Sequence, residues 1–600
     1  MPGIIGKVSF DSQDILARAV LDRMLDVSSR PGSEIRAVFT APGIALGRCG
    51  VRDRRLPPLV DGCIGTSDAG NVRAVAYSQL TNAGELRNEL ERGGHRFSAR
   101  TDEELIAHAY DRWGTRAFER LRGAFACAIW DGANRRLVLA RDHVGVRSLY
   151  FAVLQGRGIV FASDVRALLQ DPGIARESCP DGIDTYFALG YIPSPLTAYR
   201  QISKLQPAHY LVVEGRRLHL QEFWDLPVAS DLGHQGASAT AVATGLRAAV
   251  RRELKDVTRP SLLYSGGLAS CALLSVAPTT LGSPITVHID QDLPELARSD
   301  AAAGILGHGR GLETLAHPVS SLVEDLAAAS GEPFADPSAL TQLAVCTAAA
   351  RHSDTALGGH GAATLWAGCE RSSRLSRFAS RREDEQFGMH AYALWEDRQR
   401  RSIYTRAFAW KIRDRNPFIW HLERWQSRAA EAPLDRALYL NARTLLPDNV
   451  LAIAGAASRA AGLSLRLPFV DYDMTELAMQ TPMAVAQRGR HAMYTLRRLL
   501  SSRLPRRLRH PHRQRPVRQS WLRAALATLV PGMLLGPRFD GRDIVSRPAL
   551  RELWNEHQRG RVDHSRRLWS LLMLEFWFRE FIDGDAAAEP LEYAVLVKAA

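Results

Sequence analysis

The sequence predicts an α/β protein of two domains: a strand-rich amino-terminal sandwich, followed by a parallel-sheet domain with a helical carboxyl-terminal part. Three observations carry this. The chain has 600 residues, too many for one hydrophobic core. Up to residue 225, short apolar runs are broken by turn signals. From residue 239, similar runs alternate with helical patterns, the order of a parallel sheet.

The elements follow in chain order. "TDEELIAHAYDRWG", 101–114, opens with a capping-box-like Thr-x-x-Glu, keeps helical spacing and stops at Gly114. "GAFACAIWD", "RRLVLARD" and "SLYFAV" read as strands, and "PAHYLVVEGRRLHLQEFW" as a hairpin turning at Glu214-Gly215. Residues 226–238 read as a linker between domains 1–225 and 239–600. "SLLYS" is then a short strand and "ALLSVAP" a helix. "PITVHID" is a second strand, "LARSDAAAGILG" a helix, and "DTALGGHG" a third strand entering a loop. Ligands of such a sheet sit at the strands' carboxyl ends. Beyond residue 370 the chain is mostly amphipathic helix, without repeats.

Composition narrows the function. With 46% hydrophobic and 24% charged residues the chain is an ordinary globular one. The opening "MPGIIGKVSF" has no leader-like core, and no apolar run reaches the roughly 20 residues of a membrane helix. Seven cysteines, without CxxC pairs or metal-ligand spacing, read as reduced thiols, so we expect no metal ligands and a cytoplasmic protein. The net charge of +13 concentrates in the arginine-rich stretch 496–521. That stretch reads first as a solvated basic face, and otherwise as a clamp for nucleotide phosphates or an acidic peptide. No base-stacking aromatics interleave with it, which argues against nucleic acid.

One short stretch points to chemistry. In "SLLYSGGLAS", a strand ends in Ser265-Gly266-Gly267 and leads into a helix. Such a turn offers backbone N–H groups and a positive dipole end to an anion, and glycine lets a phosphate approach closely. Alone the tripeptide is weak, since any tight strand-to-helix turn needs glycine.

Its surroundings strengthen it. The chain resembles the asparagine synthetase family in seven blocks, in the family's order: 101–131, 139–152, "LGYIPSPLTAYRQISKLQPAHYL", "YSGGLAS", "GEPFADPSALTQLAV", "GLSLRLPFVDYDMTELA" and "LRRLLSSRLP". The resemblance implies an Ntn-hydrolase-like glutaminase-type domain followed by a pyrophosphate-loop synthetase domain. "ASRAAGLSLRLPFVD" resembles the macrolactam-forming branch, the β-lactam synthetases and lasso-peptide cyclases. The asparagine-making branch has Lys-x-Asp-Arg where this chain has Ile453, Gly455 and Ala456.

The departures from the family decide what is expected of each domain. The family's nucleophilic cysteine falls on Pro2, which has neither a thiol nor a primary amine. The Asn-Gly of its oxyanion site falls on Tyr77-Ser78, and the following glutamate on Gln79. Glutamine hydrolysis is therefore not expected, and the first domain is read as an inactive scaffold. In the second domain the resemblance implies adenylation of a carboxylate by ATP. Ser265, Gly266, Gly267 and Ser270 would cradle phosphate, Tyr264 and Val287 line the adenine pocket, and Gly358 and Gly359 meet AMP. Both implied magnesium acids are alanine, at Ala269 and Ala363. An alanine methyl cannot ligate a hard cation that demands oxygen. Asp290, Asp292, Asp300 and Asp336 are nearby acids that offer a replacement for the metal ligands, though proline-flanked aspartates are more often turn formers and are read so first.

His360 stands where β-lactam synthetases, by resemblance, carry a tyrosine base. A histidine of near-neutral pKa suits that task, with Glu396 as its partner and Arg513 (or His512) replacing a late lysine. The expectation is an ATP-dependent, AMP-forming amide ligase, a lasso-peptide or macrolactam cyclase that uses an internal amine. ATP and Mg2+ are its implied cofactors and a peptide or small carboxylate its substrate. A leader-peptide-binding or protease protein is the implied partner, with no nucleic acid and no membrane. The alternative is a catalytically silent pseudo-synthetase that binds a peptide, a nucleotide or a paralogous partner.

Overall fold

A computed structural model describes residues 3–11, 13–14, 16–29, 35–50, 64–227, 237–255, 257–277, 284–285, 304–306, 319–368, 392–428, 433–482, 486, 493–505 and 520–584. The chain divides into two compact units. One comprises Met1–Glu177 and Pro193–Pro227, the other Ser178–Ile192 and Val228–Ala600.

In the first unit the strands are β1 (Gly3–Ser9), β2 (Ile35–Ala41), β3 (Ile44–Gly50), β4 (Gly65–Thr66), β5 (Val72–Leu80), β6 (Gly123–Asp131), β7 (Arg136–Arg141), β8 (Tyr150–Leu154), β9 (Gly158–Ala162), β10 (Ser203–Lys204), β11 (His209–Glu214) and β12 (Arg217–Glu222). They form two antiparallel sheets, ordered β10-β8-β9-β1-β3-β2 and β12-β11-β7-β6-β5-β4. Ile4, Leu46 and Phe161 of the first sheet pack on Val75, Ala126 and Leu139 of the second. The other face of the second sheet carries Phe125, Cys127 and Ile129 against Leu86, Leu90, Leu105 and Ile106 of helices Ala83–Arg92 and Asp102–Trp113. Both faces of β6 are thus covered, so "GAFACAIWD" runs almost continuously apolar instead of alternating.

The expected helix and hairpin are present. Thr101 accepts the N–H of Glu104 as N-cap of Asp102–Trp113, and Gly114 ends the helix at φ +59°. β11 and β12 turn at Gly215, whose φ is +55°. Both positive φ values suit glycine.

The second unit contains a parallel sheet of β13 (Ser261–Leu263), β14 (Pro284–Ile285), β15 (Thr355–Leu357) and β16 (Ser464–Arg466), in the order β14-β13-β15-β16. Helices Leu268–Val276 and Ser338–Ala350 are apolar on several sides, because they lie in the interior. The carboxyl-terminal part is helical, and Ser565–Trp577 is its buried member. Most of "PITVHID" and of "LARSDAAAGILG" lies outside the described residues. Among the described residues no helix is long and apolar enough to cross a membrane.

Candidate functional site

β13 and β15 are neighbours running in the same direction, so the loops leaving their carboxyl ends come together. A Cβ on Gly359 would lie 3.1 Å from the Ala269 methyl and 3.5 Å from the Ser270 nitrogen. The two glycine-rich segments singled out in the sequence therefore touch.

The first loop is built from its own backbone and two serines. Gly266 turns at φ +69°, and Gly267 caps Leu268–Val276 without a side-chain bond. The first N–H groups of any helix lack an intrahelical partner. Ser270 Oγ donates to the Gly267 carbonyl at 3.0 Å and accepts the Ser265 N–H at 3.3 Å. Ser265 Oγ accepts the Gly267 N–H at 3.4 Å. Ser265 and Gly267 are exposed and Ser270 is buried, so the loop opens outward over a fixed base. This arrangement suits an anion at the positive end of the helix. The Tyr264 ring is buried beneath the loop, its hydroxyl 3.5 Å from Cys271 Sγ. Val287 lies outside the described residues.

The second loop is shaped around His360. A Cβ at Gly358 would come within 2.6 Å of His360 Nδ1, so the ring folds back over this glycine. Gly361 has φ +85°, and a Cβ there would sit 2.3 Å from Val470 Cγ1. His360 Nε2 lies 2.8 Å from Gln342 Oε1. The carbonyl oxygen can only accept, which assigns the proton to Nε2 and the lone pair to Nδ1. Nδ1 is buried and has no hydrogen-bond partner among the described residues.

This corrects the expected near-neutral histidine. Burial lowers the His360 pKa to about 4, so the ring is neutral at physiological pH and a weak base. The consequence is measurable. A histidine whose folded pKa is depressed contributes stability that is complete above its unfolded pKa and lost as pH falls towards the folded one. Between pH 7 and pH 5 the natural chain should lose on the order of 2 kcal/mol more unfolding free energy than His360→Gln, which has no proton to gain. Urea midpoints of the two chains at both pH values check it.

Among the described residues no hydrogen bond or ion pair joins His360 to its expected partner Glu396. Glu396 is exposed at the N-cap of Asp397–Ile403, beside the Arg567 guanidinium. Its neighbour Trp395 is anchored by Ser570 Oγ at 3.1 Å. Arg513, His512 and most of the basic stretch 496–521 lie outside the described residues.

At the positions of the implied metal acids, Ala269 is half-buried and Ala363 exposed. Asp336 does not replace them, since its Oδ1 accepts the Ser338 N–H at 3.0 Å as a local turn. Asp290, Asp292 and Asp300 lie outside the described residues. Among the described residues, no group of three metal-binding side chains lies at these loops. The described side chains of these loops suit the phosphates of a nucleotide and do not suit a magnesium ion.

In the first unit Pro2 lies outside the described residues. Tyr77 OH accepts from Arg147 Nη1 at 2.6 Å, and Gln79 Oε1 faces Arg147 Nη2 at 3.4 Å. Ser78 Oγ donates to the half-buried Asp102 at 3.0 Å. The three side chains at the implied oxyanion segment are thus tied into the domain. Among the described residues the same unit holds one group that could bind a metal, Asp68, His95 and His108, which cysteine spacing could not reveal.

Comparison with known proteins agrees with this geometry. Residues 1–224 match a glutamine amidotransferase domain, and residues 241–579 match asparagine synthase. A protein of Mycobacterium tuberculosis (strain H37Rv), provisionally named a glutamine-hydrolysing asparagine synthetase, is 27% identical over 562 residues, 86% of this chain and 85% of its own. Glutamine-hydrolysing asparagine synthetase 1 of Bacillus subtilis (strain 168) is 21% identical over 86% of each chain. Asparagine synthetase 3 of the same strain is 29% identical over 46% of this chain and 45% of its own. With an amidotransferase class II (Ntn) domain followed by a synthase domain matched over more than half its length, the chain belongs to the asparagine synthase family, whose members are ATP-dependent ligases.

Proposed function

We propose that this chain is a nucleotide-binding pseudo-synthetase, holding an adenine nucleotide and a peptide or small carboxylate on a ligase frame without adenylating it. The observation that carries this reading is the pair of alanines at the two loops, Ala269 and Ala363. Ser265, Gly266, Gly267 and Ser270 would bind the phosphates, with Tyr264 and Val287 beside the base and Gly358 and Gly359 along the ribose phosphate. Bound ATP supplies an electrophilic α-phosphorus. Among the described residues no group of metal-binding side chains at these loops replaces the missing acids.

Titration calorimetry with ATP, beside a pyrophosphate-release assay with Mg2+ and candidate precursor peptides, tests the reading. Binding without release above background is expected. Release by the natural chain would overturn it.

A second reading has its own support: an AMP-forming lasso-peptide or macrolactam cyclase, using the substrate's internal amine and served by a leader-binding or protease partner. The first loop keeps its open, glycine-lined form, and His360 Nδ1 presents an unpaired lone pair. Arg513 would supply the cation, and the same release assay decides between the two.

A further inference from the structure

The group Asp68, His95 and His108 belongs to the first unit and shares no residue with the two loops. His95 Nδ1 lies 3.1 Å from His108 Nδ1. Asp68 Oδ2 lies 3.1 Å from His95 Nδ1 and 3.6 Å from His108 Nδ1. A tetrahedral zinc ion with bonds of about 2.0–2.1 Å has neighbouring ligand atoms about 3.3 Å apart. The three observed separations bracket that edge. We propose that Asp68, His95 and His108 form a zinc site with an open fourth position.

The donor set chooses the ion. Two imidazoles and one carboxylate suit zinc, whereas magnesium and calcium prefer oxygen alone. The three ligands come from different elements, and each is held in place. His108 is on the helix Asp102–Trp113, 1% exposed, its ring 4.5 Å from that of Phe97. Asp68 sits in the turn closed by the Gly70 N–H on the Ser67 carbonyl, 2.9 Å. The Arg96 N–H bonds Asp68 Oδ1 at 3.3 Å and leaves Oδ2 for the ion. The His95 N–H bonds the Leu90 carbonyl at 3.1 Å.

The segment that follows His95 is pinned as well. The Glu104 carboxylate, one turn before His108, accepts the N–H groups of Ser98, Ala99 and Arg100 at 2.6, 2.8 and 2.8 Å. Outer bonds of this kind orient metal ligands before the ion arrives. The Asp68 side chain is 44% exposed, so an ion can enter from solvent and its fourth position can take water or a small anion.

The test uses the full chain stripped with a chelator. Zinc affinity is measured by competition with a chromophoric chelator, and Co2+ replaces zinc to report geometry in its visible spectrum. The natural chain should bind one equivalent more tightly than Asp68→Asn and His95→Ala, each weakened by ~100-fold or more. The Co2+ complex should show intense tetrahedral bands that both variants lose. Zinc should raise the thermal midpoint of the natural chain alone. Equal zinc affinity and stoichiometry in the natural chain and Asp68→Asn would overturn the site, leaving a hydrogen-bonded histidine pair beside a surface carboxylate. Should His95→Ala fail to fold, the near-isosteric Asp68→Asn at an exposed position still gives the answer.

Discussion

Ala269→Asp combined with Ala363→Asp should raise ATP-dependent pyrophosphate release at least ~10²-fold over the natural chain, in the presence of Mg2+ and an acceptable carboxylate. Metal stabilisation of departing pyrophosphate is worth on the order of 3–5 kcal/mol, or ~10²–10⁴ in rate. Position 269 lies in the first turn of Leu268–Val276, with its methyl against Gly359, so a carboxylate there stands where the two loops meet. Position 363 is exposed in the short helix Ala362–Leu365 of the other loop, and its side chain can lengthen without entering the core. Each single variant should gain far less, because the ion needs oxygen ligands from both loops and the two changes act as one unit. Two readouts keep the result interpretable: the release rate, and whether Mg2+ tightens ATP binding in the double variant but not in the natural chain. Tighter binding without turnover would move the defect to His360. No Mg2+ effect on binding would refute the account of the lost metal.

What could be read in advance depended on how local the cause was. The helix Asp102–Trp113 was legible because its start signal, Thr101, and its stop signal, Gly114, lie in the same short stretch. The order of β13, the glycine loop and Leu268–Val276 was legible for the same reason. His360 was not. Its low proton affinity comes from burial, and neither that burial nor the fold of its ring over Gly358 is visible in "LGGHG". The Asp68 group was hidden further, since a turn, a loop and a helix each contribute one ligand without a recognisable spacing. The short stretch Ser178–Ile192 packs with the second unit although it lies well ahead of residue 226. Long-range burial decides that, through Tyr186 OH on the Ser570 carbonyl at 2.8 Å and Asp184 on Arg400.

That last pair should give the largest stability effect in the chain. Asp184 and Arg400 are 2% and 1% exposed, and Arg400 Nε approaches Asp184 Oδ1 at 2.8 Å as an ionic contact, not an aligned hydrogen bond. Tyr404 OH donates to the same Oδ1 at 2.7 Å, and Arg400 also reaches Asp397 Oδ1 at 2.7 Å. Arg400→Met should cost about 3–5 kcal/mol, because it leaves a buried carboxylate without its ion-pair partner. Arg401→Met, which removes the neighbouring exposed pair with Asp397, should cost under ~1 kcal/mol. The loss in Arg400→Met should also depend on pH. Burial already raises the Asp184 pKa, and the Arg400 charge opposes that rise; removing the arginine raises it further. An acid whose folded pKa is raised favours folding while protonated, so the variant should regain stability in acid and lose it as pH climbs through that pKa. Asp184→Asn added to Arg400→Met keeps an acceptor for Tyr404 and removes the charge, and it should restore most of the loss at pH 7. Denaturant midpoints of the four chains at pH 5 and pH 7 measure all of this. A flat pH response in Arg400→Met would mean that water reaches Asp184 once the arginine is gone.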